Sequence, residues 1–218
     1  MTPELPFGLY ALTDPELLPE AVLYERVAAA IEGGAGIVQY RDKPADPATR
    51  RRRAGLVADA CRAAGALFIV NDDPALARAS GADGVHVGGD DLGWDEARGI
   101  IGTSRILGVS CYDRLERAAA AARAGADYVA FGSLFPSQTK PGAGRASLAL
   151  VRTASERLTV PVVGIGGITR HNAAEVTAAG AWAVAVVHDL FGDTDPRAAA
   201  RALAGACELG RAPRGAGR

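Results

Sequence analysis

The chain has 218 residues, 49% hydrophobic and 22% charged, which is enough apolar material for one large core and leaves no stretch polar enough to stay disordered. Its 24 Lys and Arg against 25 Asp and Glu give a formal net charge of -1, so nothing in the total favours nucleic acid or an anionic membrane and any affinity for an anion must be local. Cys61, Cys111 and Cys207 are far apart and lack CxxC spacing, so neither a disulfide framework nor a zinc site is indicated, and with no signal-peptide pattern or bilayer-length apolar run the expectation is a cytoplasmic, unexported protein.

Short apolar runs alternate with alanine-rich stretches along the whole chain. In order, the strand candidates are Phe7–Thr13, Gly36–Tyr40, Leu67–Asn71, Gly84–Val87, Ile106–Ser110, Tyr128–Gly132, Val162–Ile165 and Ala183–Val187, each followed by helical composition. Eight such units without a long linker predict an α/β fold of the (β/α)8 TIM barrel type in a single domain over residues 1–209, in preference to an open doubly wound sheet. A recurring Gly-Ala step (Ala64-Gly65-Ala66, Gly81-Ala82-Asp83, Gly125-Ala126-Asp127, Gly180-Ala181) reads as a helix stop that turns the chain into the next strand. The run Arg50 to Arg53 reads as a solvated helix face, and residues 210–218 as a flexible tail.

In such a barrel the chemistry belongs where each apolar run stops. Those stops carry Thr13-Asp14, Gln39-Tyr40-Arg41-Asp42-Lys43, Asn71-Asp72-Asp73, His86 followed by Asp90-Asp91, Ser110, and Ser137-Gln138-Thr139-Lys140. Arg41, Lys43 and Lys140 would concentrate positive charge over the mouth of an otherwise neutral protein, as a diphosphate requires; a surface ion-pair network with Asp42 is the plainer alternative. Asp72 and Asp91 end neighbouring units, so both carboxylates suit a magnesium ion that keeps several waters, although aspartates before helices also serve as caps. Gly164-Ile165-Gly166-Gly167 and Val187-His188 end the last two strands, where many barrels hold a phosphate on backbone N–H groups. His86 is read as a structural histidine that orients loops rather than as a general base, and Cys111 lacks the activated base a nucleophile needs.

Six ordered segments between Leu9 and His188 resemble the signature stretches of the thiamine phosphate synthase family: Val38-Gln39-Tyr40-Arg41-Asp42-Lys43, Ile69-Val70-Asn71-Asp72, Ala82-Asp83-Gly84-Val85-His86-Val87-Gly88 through Asp90-Asp91-Leu92, Ile106-Leu107-Gly108-Val109-Ser110, Ala126 through Lys140, and Pro161-Val162-Val163-Gly164-Ile165-Gly166-Gly167-Ile168. The resemblance implies that Gln39, Arg41, Lys43, Asn71, Ser110 and Lys140 hold an aminopyrimidine diphosphate, with Mg2+ on Asp72 and Asp91. It further implies that Ser137, Thr139, Gly167, Val187 and His188 hold a thiazole phosphate; Tyr40, Asp42 and Gln138, inside the same motifs, are taken as substrate-binding with them. Arg41, Lys43, Ser110 and Lys140 are the catalytic candidates, and the implied partners are those two small molecules, with homo-oligomerisation left open.

The implied reaction joins the pyrimidine methylene to the thiazole nitrogen and expels pyrophosphate without a protein nucleophile. Three positions depart from the family pattern: Ser137 in place of threonine, Ser133 in place of proline, and His188 in place of serine. A thiazole tautomerase of the same fold would not need the diphosphate-binding set, and a non-catalytic barrel that binds thiamine precursors would not need to keep the metal ligands or Lys140. The loop from Ser133 to Ala146, with Gly142 and Gly144 as hinge candidates around Lys140, is the lid candidate, and plain surface linkage is the alternative.

Overall fold

The computed structural model describes residues 2–88, 93–136 and 146–211. Eight parallel strands, β1 (Gly8–Leu12), β2 (Ala35–Tyr40), β3 (Leu67–Asn71), β4 (Gly84–Val87), β5 (Ile106–Tyr112), β6 (Tyr128–Phe131), β7 (Val162–Ile165) and β8 (Ala183–Val186), close into a barrel in sequence order. Around them run α1 (Glu20–Glu32), α2 (Pro47–Ala64), α3 (Pro74–Ala79), α4 (Trp94–Ile101), α5 (Leu115–Arg123), α6 (Leu148–Arg157), α7 (Ala173–Ala178), the short α8 (His188–Phe191) and α9 (Pro196–Gly210). The expected strands match within one or two residues, and α9 extends to the first residue of the expected tail.

The glycine-rich stops act as read. Gly65 ends α2 in the left-handed conformation, φ 74°, and its N–H returns to the Cys61 carbonyl, after which the chain enters β3 within two residues. The aspartate that follows two of these stops does a second job at the lower rim. Asp83 accepts the N–H of Phe68 at 2.8 Å, and Asp127 accepts the N–H of Leu107 at 2.7 Å, so each ties its own strand entry to the strand before it.

Two apolar layers result. One lies between strands and helices and includes Leu9, Val38, Tyr40, Val57, Phe131 and Phe191. The other fills the barrel and is built from inward residues at alternate positions, including Tyr10, Leu12, Ile37, Ile69, Ile106, Tyr128 and Val163. The register shifts between Ser110 and Tyr112 where β5 pairs β6, and Tyr112 takes φ 55°; this bulge lets the upper end of β5 turn Tyr112 toward the mouth.

Gly108 explains how two tyrosines fit inside. A Cβ there would stand 2.1 Å from Cζ of Tyr128, so the missing side chain is the space the Tyr128 ring occupies. Gly108→Ala is therefore expected to lower stability by about 1–3 kcal/mol, the scale of overpacking a filled interior, measured as a reduced urea midpoint at unchanged slope.

Candidate active site

A cavity of about 350 Å3 opens at the carboxyl ends of the strands, lined by residues of all eight units. Gln39, Arg41, Asn71, Ser110, Gly167, Val187 and His188 all line it, as their positions at strand ends require. Asp91, Ser137, Gln138, Thr139 and Lys140 lie outside the described residues.

One side of the mouth is charged. Lys43 places its ammonium 2.8 Å from Asp72 Oδ2, and the Asn71 side-chain amide donates to the same oxygen at 2.6 Å. The other Asp72 oxygen accepts the Gly88 N–H at 3.2 Å. Asp72 adopts φ 58°, a conformation that costs an ordinary residue energy and that Asp tolerates better than most. The helix-capping role falls instead to its neighbour: Asp73 accepts the Leu76 N–H at 2.8 Å and caps α3, while α4 is capped by Gly93. Asp72 is thus held at the rim for something other than helix capping.

Arg41 is fixed through its backbone. Its N–H donates to Thr13 Oγ1 at 2.9 Å, and the same hydroxyl reaches its carbonyl at 3.4 Å, joining the ends of β1 and β2.

Tyr40 and Asp42 are not brought to the cavity. Alternate residues of a strand point to opposite sides, and with Gln39 and Arg41 inward, Tyr40 and Asp42 face the helices. The Asp42 carboxylate, 2% exposed, accepts from Arg53 of α2 at 2.6 Å, and the Tyr40 hydroxyl donates to it at 3.3 Å. Burial, with the Asp42 charge beside it, raises the Tyr40 phenol well above its ordinary range. The basic run on α2 is correspondingly structural: Arg52 and Arg53 both bond Glu20 of α1 in addition to the Asp42 contact.

The opposite side is built from backbone. Gly166 and Gly167 have φ 97° and 63°, and a Cβ on either would meet the loop after β6: Ser133 Oγ at 2.1 Å from the first, the Pro136 carbonyl at 2.3 Å from the second. Bare backbone here therefore seats that loop as well as leaving a surface without side chains. The Phe135 N–H donates to the Gly166 carbonyl at 3.0 Å, and Asn172 braces the Gly167 carbonyl at 3.1 Å. Arg170 then clamps this loop to the β8 end, with its N–H and Nε on Asp189 Oδ2 at 2.8 and 3.0 Å and its Nη2 on Asp193.

Beneath the mouth lies a polar chain that the sequence reading missed. The Gln39 amide nitrogen donates to the Tyr10 hydroxyl at 2.8 Å; Tyr10 and Tyr128 hydroxyls meet at 2.8 Å; Tyr128 meets His86 Nδ1 at 2.9 Å; His86 Nε2 meets Ser110 Oγ at 2.9 Å. His86 therefore bridges strands inside the barrel and does not orient loops. Burial pushes its pKa down to about 4 and drives both tyrosine phenols far above their ordinary value. The available signal was the inward parity of Tyr10 and Tyr128 at the same alternation as Gln39 and His86. The three cysteines are buried and free, with burial pushing each thiol up to about 12, so none is a ready nucleophile.

The sequence model of the family described as thiamine monophosphate synthase matches residues 9–190. A thiamine-phosphate synthase of Alcanivorax borkumensis is 51% identical over 207 residues, covering 94% of this chain and 95% of that one. A second, of Halorhodospira halophila, is 53% identical over 196 residues, covering 90% and 92%. Among solved structures, a thiamine phosphate pyrophosphorylase of Pyrococcus furiosus superposes with a TM-score of 0.84 at 37% identity, covering 93% of this chain and 96% of that one.

The outward placement of Asp42 has a measurable consequence. Asp42→Asn keeps the shape but removes the charge beside Arg53, and is expected to cost about 1–3 kcal/mol in chemical denaturation, less than a fully buried pair because Arg53 is partly solvated. Activity per folded molecule is expected to stay within about twofold of the parent, since the side chain does not reach the cavity.

Proposed function

The chain belongs to the thiamine monophosphate synthase family, a transferase joining an aminopyrimidine diphosphate to a thiazole phosphate with release of pyrophosphate, and we propose that the two unlike sides of its mouth divide these substrates. The observation that carries this reading is their contrast across one cavity: Arg41 and Asn71 line one side, with the Lys43–Asp72 ion pair bonded to Asn71 beside them, and Gly166, Gly167, Val187 and the start of α8 line the other. The diphosphate belongs on the charged side, with Lys140 completing the set, and the thiazole phosphate on the backbone side with Ser137, Gln138 and Thr139. No helix among the described residues is long and apolar enough to cross a membrane.

Asp72 fits a magnesium ion. It is an oxygen donor at the rim, its position is held by Gly88 and Asn71, and one of its oxygens is currently shared with the mobile cation of Lys43, which a metal could release toward the diphosphate. Asp91 is the second proposed ligand. When bound, magnesium supplies neutralisation of the diphosphate oxygens.

The protein's own share of the chemistry is to bind and to balance charge. As the bond between methylene carbon and diphosphate oxygen breaks, its electron pair leaves with pyrophosphate, and Arg41, Lys43 and Lys140 meet the growing charge. The amino group of the pyrimidine donates electron density to the methylene carbon until the thiazole nitrogen bonds to it. Ser110 and Gln39 hold the pyrimidine in line, and no proton-transfer residue is required. His188 stands at the first residue of α8, where the backbone rather than the side chain serves the phosphate, which is how histidine can replace serine there.

Incubation with both phosphorylated precursors and Mg2+ is expected to give coupled product and one pyrophosphate per turnover. EDTA should abolish this and added Mg2+ restore it, while Asp72→Asn loses at least about a hundredfold in kcat/KM with an unchanged melting temperature. Full activity in EDTA, or an Asp72→Asn variant as fast as the parent, would remove the metal from the assignment. Lys140→Ala is expected to lower kcat by roughly a hundredfold, the scale of losing one charge-stabilising contact, with little change in stability; an effect within about twofold would reassign the leaving-group role.

A further inference from the structure

The buried chain Gln39–Tyr10–Tyr128–His86–Ser110 spans β2, β1, β6, β4 and β5, and each link is 2.8 or 2.9 Å. Its two ends, Gln39 and Ser110, are the residues assigned above to the pyrimidine; its three middle members are not in that assignment. Hydrogen-bond direction propagates through such a chain, because each tyrosine hydroxyl has one hydrogen and a neutral imidazole has one N–H. The Gln39 amide nitrogen can only donate, so Tyr10 accepts from it; Tyr10 then gives its own hydrogen to Tyr128, because the reverse sense would leave that hydrogen with no acceptor in the chain. Tyr128 then donates to His86 Nδ1, which leaves the imidazole proton on Nε2, donated to Ser110 Oγ. Ser110 is left with its hydroxyl hydrogen to offer to the mouth, and Gln39 with its carbonyl oxygen.

We propose that this chain is a directional lock in which Tyr10, Tyr128 and His86 act as positioning residues, holding Gln39 as an acceptor and Ser110 as a donor so that the mouth selects a pyrimidine bearing an amino group. The proposal rests on the reading that Gln39 and Ser110 face the pyrimidine. An amide is free to rotate end for end on its own, and would then accept an oxo group as readily as an amino group. Coupled to the chain, the same rotation requires both phenol hydrogens and the His86 tautomer to reverse together, or leaves two acceptors or two donors facing each other inside the barrel. The stacking of His86 on Tyr128, ring centroids 5.5 Å apart at 24°, and the contact of Tyr10 with Tyr128 keep the members in place while the directions are held.

The test begins with the tautomer in the unmutated full chain. With 15N-labelled histidine, and His86 identified by loss of its signals in His86→Gln, two-bond proton–nitrogen spectra are expected to show His86 protonated on Nε2 alone. Protonation on Nδ1, or on both nitrogens, overturns the proposal. Tyr128→Phe then cuts the chain while keeping the ring. In that variant the KM for the aminopyrimidine diphosphate is expected to rise about tenfold, the equivalent of about one buried hydrogen bond, with the KM for the thiazole phosphate unchanged. Competitive inhibition by the analogue with oxo in place of the amino group should strengthen relative to the amino compound by about tenfold. Unchanged discrimination in a folded Tyr128→Phe overturns the lock, and Tyr10→Phe gives the same reading if Tyr128→Phe does not fold. Gln39→Ala and Ser110→Ala separate the two levels: if neither alters the KM for the pyrimidine, the site assignment fails; if they do and Tyr128→Phe does not, only the lock fails.

Discussion

A barrel closed by eight parallel strands sends every second side chain into an interior with no exit, and the rest of this molecule follows from how that interior is filled. Part of it is taken by Ile37, Ile69, Ile106 and Val163, which need only volume. The same interior holds Tyr10, Gln39, His86, Ser110 and Tyr128, polar groups whose burial is matched by bonding one another. Toward the strand ends Arg41, Asn71 and Gly132 line the cavity, and Tyr10, Gln39, His86 and Ser110 line it with them. The apolar filling, the hydrogen-bonded chain and the mouth are therefore products of one alternation.

The same alternation separates two arginine and aspartate systems that look like one in the sequence. Arg41 points in, toward the cavity, while Asp42 points out and is neutralised by Arg53 from α2. Lys43 points back to the rim, to Asp72. Within five consecutive residues, the end of β2 and the turn after it thus supply one cation to the cavity, a second to the rim carboxylate, and an acid that holds a helix. Asp42, the centre of the plain alternative for this run, does make an ion pair, but a buried one with Arg53 behind the barrel, on the opposite side of the strand from Arg41.

Much of this was legible in the sequence because strand ends in a barrel are functional by position. The eight strands, the glycine stops and the inward residues Gln39, Arg41, Asn71 and Ser110 all follow from apolar runs and where they break. Asp42 and Tyr40 were misplaced because a motif was taken whole, although period-two alternation carried past Gln39 would have turned both outward. Tyr10 and Tyr128 were overlooked for the opposite reason: an aromatic inside a strand reads as core, and only the pairing of strands far apart in sequence brings the two hydroxyls together. The Arg170 clamp was invisible for a similar reason, since its partners Asp189 and Asp193 become neighbours only when β8 closes beside β7. Asp73 shows the limit of residue type alone. It and Asp72 are adjacent aspartates before a proline, and only backbone conformation makes one a helix cap and the other a rim carboxylate.

The unequal construction of the two sides of the mouth matches what each proposed substrate undergoes. The thiazole phosphate enters and remains on the product, so its charge does not change during the reaction, and a fixed frame serves it. Such a frame is what the Gly166 and Gly167 backbone, braced by Asn172 and clamped by Arg170 to Asp189, provides. The diphosphate gains charge as its bond to carbon breaks and must then depart, so groups that follow charge are needed, and long side chains such as Arg41 and Lys43 can move with it. Holding Lys43 on Asp72 before the substrate arrives serves that purpose: the ion pair is half exposed, hence weak, and the lysine can exchange one anion for another at small cost. A rigid cation locked like Arg53 on Asp42 would bind the product as firmly as the transition state, and tight uniform binding does not raise turnover.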